Sequence, residues 1–302
     1  MSFLSSRRGA VLALAVTVLI WAYSWVVMKQ ALAYAGPLDF AALRYLLGAL
    51  VLFAAMLLSG RSLRPPPLLP TALIGLFQTA AFQGLEQWAL LHGGAGHVAL
   101  LAYTMPFWAV LLAWWLLGDR PSLRHWLGLT LAASGLLCII EPWHAMGSVL
   151  STTLAIAGGA MWAAGTVLSK RMFQRHAPEV LSLTAWQMLI GGAVLGVVAL
   201  LVPQRAMVWN WPFIGALAYS VILASSLAWW LWSIVLQRLS TTVASVSSLG
   251  VPIVSVLLAW WILHEQPSAM EMFGIVLVLL GLLAVSGVGG KRRLPTPTPE
   301  PT

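Results

Sequence analysis

A chain of 302 residues that is 60% apolar and only 8% charged cannot be a soluble domain, because it would expose apolar surface that nothing could cover. Its net charge of +8 would suit a nucleic-acid binder, but the basic residues fall in short clusters between apolar runs, the pattern that sets orientation in a bilayer. The lone Cys138 sits inside an apolar run and excludes an internal disulfide.

Arg7-Arg8 precede an apolar run from Gly9 to about Met28, which is longer than a signal-peptide core and reads as a retained first span. Breaking the chain at Pro, Gly and charge predicts ten membrane helices, at 9–34, 38–59, 68–91, 95–117, 122–140, 148–175, 179–202, 211–237, 240–263 and 268–289. No connection is long enough to hold a soluble domain. The tail Lys291–Thr302 is basic and then Pro/Thr-rich, and is expected to be disordered.

The chain repeats itself. Leu111–Ser122 reads LLAWWLLGDRPS, and 146 residues on Leu257–Ser268 reads LLAWWILHEQPS; in that register Pro106 answers Pro252, Gly128 answers Gly274 and Gly135 answers Gly281. The first helices correspond at an offset of 141, pairing Trp21 with Trp162, Lys29 with Lys170 and Pro37 with Pro178. The expected units are a five-helix repeat at 1–144 and a second at 145–290, followed by the tail at 291–302.

Orientation follows from the cations. With the N-terminus inside, cytoplasmic ends hold Arg7, Arg8, Arg61, Arg64, Arg120, Arg124, Lys170, Arg171, Arg175, Arg238, Lys291, Arg292 and Arg293, thirteen against only Lys29, Arg44 and Arg205 outside. Both termini are then cytoplasmic. Because five helices is an odd number, the second repeat starts on the opposite side, and the two are inverted about an axis in the membrane plane. The fold class expected is all-α integral membrane, ten helices as two inverted five-helix repeats.

With Trp21 and Lys29 in the first helix, Pro37 and Arg44-Tyr45 opening the second, Pro106 in the fourth, and the acidic-Pro turns Asp119-Arg120-Pro121 and Glu265-Gln266-Pro267, the chain resembles the drug/metabolite transporter superfamily, in two EamA-like halves. The resemblance covers about 9–289. It implies a ten-helix exporter of small metabolites in a bacterial inner membrane, similar to the YddG type of amino acid exporters, including those for aromatic amino acids.

Candidate transport residues come first from the third predicted helix. Gly75, Gln78, Thr79, Phe82, Gln83 and Glu86 fall within about 140° of one another at 100° per residue. Lipid cannot solvate such amides, so the stripe either lines a cavity or bonds neighbouring helices. Glu86 is the one carboxylate well inside a span, and three roles compete: proton carrier, partner for a substrate ammonium, or a charge reaching outward to Lys29 or His92. Trp21 and Trp162 recur symmetrically at mid-span, beside small residues that include Thr166. Trp229 aligns with Gln83 at the 146 offset and can line the cavity from the eighth helix.

Pro106 and Pro252 each remove a backbone donor and are expected to bend their helices, freeing a carbonyl toward a cavity. Tyr103 before the first, and Ser245 and Ser248 before the second, complete the candidate binding set. Arg44 is expected to pair with Asp39 or to extend toward the surface. Lys29 and Lys170 read as helix-end structure rather than ligands. Paired Trp residues near span ends, such as Trp114-Trp115 and Trp260-Trp261, suit headgroup anchoring.

Other classes fit poorly. His264-Glu265 lacks the second His of a zinc-binding helix, Ser268 standing in its place, and no nucleophile motif or phosphate loop is present. No enzyme activity, metal or cofactor is expected. A channel would want a ring of identical groups along a pore. A cavity of Gln, Ser, Thr and Trp suits a small neutral or zwitterionic metabolite, with an amino acid first and a flat organic cation held by cation–π attraction as the alternative. The expected partners are that solute and the lipid bilayer, with no nucleic acid and with the monomer as functional unit.

Overall fold

The computed structural model describes residues 7–140, 148–254 and 268–286, and among them all regular structure is helical. In chain order these are α1 (Arg7–Ala31), α2 (Pro37–Leu58), α3 (Leu68–His92), α4 in two pieces (Ala95–Ala102 and Met105–Leu117), α5 (Leu123–Ile140), α6 (Val149–His176), α7 (Val180–Leu201), α8 (Trp211–Arg238), α9 (Thr241–Val254) and α10 (Ala269–Ser286). Seven of them, α1–α4 and α6–α8, are long and apolar enough to cross a membrane, whereas the apolar stretches of α5, α9 and α10 are shorter. Trp260-Trp261, the turn Glu265–Pro267, the junction at 141–147 and the tail at 291–302 lie outside the described residues.

Side chains are distributed inside out. Leu58, Leu123, Leu200 and Trp115 face outward, while Gln78, Gln83, Glu86, Gln87 and Gln187 are buried. In lipid the first set is solvated and the second must find partners within the protein. This is the arrangement of a multi-pass membrane protein.

Helix ends follow local chemistry. Pro37 opens α2 at a position where its missing N–H is harmless. Side-chain oxygens of Ser148, Asn210 and Ser240 accept from the N–H groups of Ser151, Phe213 and Val243 at 3.0, 2.9 and 3.3 Å. Gly118 closes α4 at a φ of +72°, where other residues are strained.

The two lysines cap helix ends in matching fashion. Lys29 Nζ donates to the carbonyls of Leu90 (2.5 Å) and Gly93 (2.7 Å) at the end of α3. Lys170 Nζ donates to those of Leu236 (2.9 Å) and Leu239 (2.6 Å) at the end of α8. The acceptors are themselves related by the 146-residue offset. A cation on the last carbonyls satisfies orphan acceptors and the helix dipole together. Replacing either lysine with Gln should cost about 1–2 kcal/mol and lower the thermal midpoint in detergent, the two effects adding because the sites are far apart. Unchanged midpoints would mean that the caps are idle.

The halves meet through backbone. A Cβ placed on Gly128 would stand 2.8 Å from the Gly281 carbonyl oxygen, and one on Gly281 would stand 2.6 Å from that of Gly128; Gly135 and Gly274 approach each other at 2.6 Å in both directions. Because 128 faces 281 and 135 faces 274, α5 and α10 run antiparallel. Gly274 and Gly281 are the repeat mates of Gly128 and Gly135, so exchanging the halves maps one contact onto the other. Elsewhere α2 packs on α7, α4 on α9, α1 on α8 and α3 on α6, a set that the same exchange preserves.

Two stretches at matching positions are wound more widely, in π-helical turns: Gly75–Ala81 in α3 and Ser220–Leu227 in α8. Such turns shift the helix phase and recur at functional sites. Here each directs the residues that follow it, Phe82-Gln83 and Trp229, toward the centre.

Candidate functional site

At the centre, α1 contributes Trp21, Ser24, Trp25 and Met28; α2 contributes Arg44; α3 contributes Phe82 and Gln83; the break in α4 contributes Tyr103; α6 contributes Trp162; and α8 contributes Trp229. Together they wall one cavity built from both halves. Phe82 and Trp162 sit near the midpoints of α3 and α6, while the α1 residues lie toward the end that carries Lys29. Aromatic rings dominate the cavity. Phe82 stacks on Trp162 at 4.9 Å between centroids, and Trp21 meets Trp162 edge-on at 5.5 Å and Trp229 at 5.0 Å. Trp21 Nε1 donates to the Ala224 carbonyl (3.1 Å), an acceptor in the widened turn of α8.

The cavity is nearly shut. It admits a volume of only about 30 Å³ to water-sized molecules, room for about two waters against about 300–1,000 Å³ for a small-molecule pocket. Any solute larger than water needs the aromatic walls to part.

Of the residues singled out from the sequence, Trp21, Phe82, Gln83, Tyr103, Trp162 and Trp229 come together here. The others do not line the cavity. Gln78 is bonded between helices instead: Ser169 of α6 donates to its Oε1 (3.2 Å), and its own backbone lies against Gly165. Thr166 is buried without a hydrogen-bond partner among the described residues. Ser248 donates back to the Ser245 carbonyl (2.7 Å), and the Ser245 hydroxyl is buried without a partner among the described residues.

The prolines act differently from expectation. α4 is interrupted at Tyr103-Thr104, and Pro106 follows in the first turn of the second piece, a position that proline tolerates. The carbonyl that its missing N–H leaves free is that of Ala102, and this faces Gly159 of α6, 2.8 Å from where a Cβ would stand. The freed acceptor therefore serves helix packing rather than the cavity. Pro252 holds the corresponding place after the turn at Ser248-Leu249 in α9.

Arg44 departs from the sequence expectation, and of the three roles open to Glu86 the outward ion pair is not found among the described residues. Arg44 makes no ion pair with Asp39 among the described residues, since five positions along a helix turn the two away from each other. It is 2% exposed and points inward, donating through Nε to Ser225 Oγ (3.0 Å) and through a terminal nitrogen to Met28 Sδ (2.8 Å). Its guanidinium lies 4.9 Å above the Tyr45 ring, whose hydroxyl accepts from Trp229 Nε1 (2.9 Å). Glu86 is not joined to Lys29 or His92, for Lys29 is committed to carbonyls and His92 Nδ1 lies on the Trp88 carbonyl. The Glu86 carboxyl is buried against Gly158 of α6, with no hydrogen-bond partner for either oxygen among the described residues.

Ser24, Trp25 and Met28 share one face of α1 with Trp21 at 100° per residue, yet nothing in the sequence analysis pointed to Arg44 as their neighbour in the cavity. An arginine about 10 Å into a helix from its Pro-marked start, too deep for easy escape to the surface, was the available signal.

Known proteins match this chain over nearly its whole length. A family model described as the EamA-like transporter family matches twice, at residues 8–141 and 150–287. A probable amino-acid metabolite efflux pump of Salmonella typhimurium is 30% identical over 294 residues, covering 92% of this chain and 94% of its own. The transporter YoaV of Bacillus subtilis is 25% identical over 284 residues, covering 91% and 96%. One solved crystal structure superposes with a TM-score of 0.78 at 24% identity, covering 94% of this chain and 98% of that one, a likeness of fold.

Proposed function

We propose that the chain, which belongs to the EamA-like transporter family, is an inner-membrane secondary transporter that exports small metabolites, amino acids first among them, by alternating access. In this reading ten spans form two inverted five-helix repeats, at 1–144 and 145–290, with both termini cytoplasmic, and the monomer is the functional unit. The observation that carries it is the central cavity walled by both repeats, where the repeat mates Trp21 and Trp162 touch at 5.5 Å. A site at the seam of two inverted units is exposed to each side in turn when the units rock.

Contacts at the helix ends support this reading. Arg61 pairs with Glu179, and the Arg64 carbonyl accepts from Ser182, so the α2–α3 loop sits at the start of α7. The loop before α8 docks instead on the α1–α2 turn, where Val208 N donates to the Tyr34 carbonyl (2.8 Å). These are the ends that the positive-inside rule assigns to opposite sides.

Amino acids fit best because the walls combine aromatic faces with the amide of Gln83 and the hydroxyl of Ser24, and because a relative is named as an amino-acid metabolite efflux pump. The same rings would attract a flat organic cation, but the Arg44 guanidinium in that wall repels one. Radiolabelled exchange in proteoliposomes, run with a panel of amino acids and a quaternary cation, tests the choice: exchange of the cation alone reverses it, and discrete current steps in a planar bilayer would make the protein a channel. Trp21→Ala, which removes ring contacts with three other Trp residues, should lower exchange at least about tenfold, a barrier change near 1.4 kcal/mol, with normal expression. Full exchange by that variant would put the substrate elsewhere.

A further inference from the structure

We propose that Arg44 is the carboxylate anchor of the central cavity, so that the transported solute carries a free carboxylate; this rests on the transporter reading above. A guanidinium stays charged, and burying one without a counter-charge costs several kcal/mol. Arg44 is buried, and no acidic side chain lies within ion-pair distance of it among the described residues. Its partners are a neutral hydroxyl and a thioether. The thioether is among the weakest acceptors in proteins, and Gln87 Nε2 settles for the same Met28 sulfur at 3.0 Å. Two strong donors thus converge where a strong acceptor is wanting, at the wall of the cavity.

A purely structural role explains the arrangement less well. Ser225, which holds Arg44 Nε, has Thr79 as its repeat mate, and Thr79 is held across the opposite helix pair by the uncharged amide of Gln187 at 2.7 Å. The matching contact between the halves therefore joins its helices without a cation. Arg44 is also held by its surroundings, its guanidinium carbon lying 4.9 Å from the centroid of a Tyr45 ring whose hydroxyl is fixed by Trp229. A planar, pre-oriented donor fork matches a carboxylate. Two further groups on the wall complement an amino acid: Trp162 Nε1 is an unpartnered donor and Gln83 Oε1 an unpartnered acceptor among the described residues. The first can join Arg44 on the carboxylate, and the second offers the ammonium its acceptor.

The test compares L-phenylalanine, L-phenylalaninamide and phenethylamine, which share a ring and an ammonium but differ at the carboxylate. Two measurements are made on purified full-length protein: competition against labelled phenylalanine exchange in proteoliposomes, and the ligand-induced rise in thermal midpoint in detergent. Wild type should favour the acid over the amide and the amine by about tenfold or more. Arg44→Gln should abolish that preference, and Arg44→Lys should keep part of it. Equal competition by amide and acid, or a preference that survives in Arg44→Gln, overturns the proposal. If Arg44→Gln does not fold, the wild-type ratio decides. Amine or amide exchange without acid preference sinks the anchor and leaves the transporter standing. An acid-specific, Arg44-dependent midpoint shift without flux of any compound sinks the transporter and leaves the anchor.

Discussion

Gly165→Val is expected to leave no folded protein. A Cβ at Gly165 would collide with the Gln78 side chain and stand 2.8 Å from its Cα and 2.9 Å from its N. The obstacle is backbone in the widened turn of α3, which cannot rotate away as a long side chain could. Nor can α3 retreat, because its other face is pinned by Thr79 on Gln187 of α7 and by the mutual approach of Gly75 and Gly191. Overpacking in well-filled cores costs about 1–3 kcal/mol, and a clash against fixed backbone belongs at or above the top of that range. Size-exclusion chromatography of the detergent-extracted variant should show aggregate only. Gly215→Ala is the control, with nothing within 4 Å of the added carbon, and should be neutral or slightly stabilising. A monodisperse Gly165→Val protein would mean that α3 and α6 are farther apart than described.

Glu86→Gln is expected to uncouple transport from protons while sparing exchange. An ionised carboxylate buried without a donor is too costly to persist, so in the closed form Glu86 must hold a proton. Lys29 of α1 and Arg44 of α2 make no ion pair with it among the described residues, and α6 presents the backbone of Gly158. Both cations are committed elsewhere. A group that must be neutral when the site is shut, and is free to ionise when water enters, ties opening to proton release. In proteoliposomes an imposed pH gradient should accelerate uptake by wild type several-fold and leave Glu86→Gln unaffected, with equal exchange rates for both. Gradient-driven uptake that persists in the variant would remove Glu86 from coupling, and loss of exchange as well would make it a ligand for the solute.

Much of the architecture was written in the chain at the level of repeats. The LLAWW segments, the paired prolines and the pairs Lys29/Lys170 and Trp21/Trp162 all depend on residue identity, which is read directly from the chain. The glycines at 128, 135, 274 and 281 were visible too, but only coordinates show that they touch across the halves. The widened turns at Gly75 and Ser220 were not legible, since no residue pattern marks a π-helical turn. They rotate the end of α3 relative to its start, which is why Gln78 and Gln83, placed on one stripe at 100° per residue, part company: Gln78 bonds α6 and Gln83 reaches the cavity. Arg44 was misjudged because the positive-inside rule counts a cation by the nearer surface and says nothing of inward orientation. The small size of the cavity depends on rotamers of six aromatic rings, which composition does not specify.

Solute counterflow tests alternating access most directly: proteoliposomes loaded with unlabelled phenylalanine are diluted into trace labelled phenylalanine. Two inverted units opening by turns to either side predict a transient overshoot, with label rising inside above its equilibrium level and then decaying, and an overshoot reduced in Trp21→Ala. Label that climbs smoothly to equilibrium with no overshoot, at a rate indifferent to the internal load, would contradict the account.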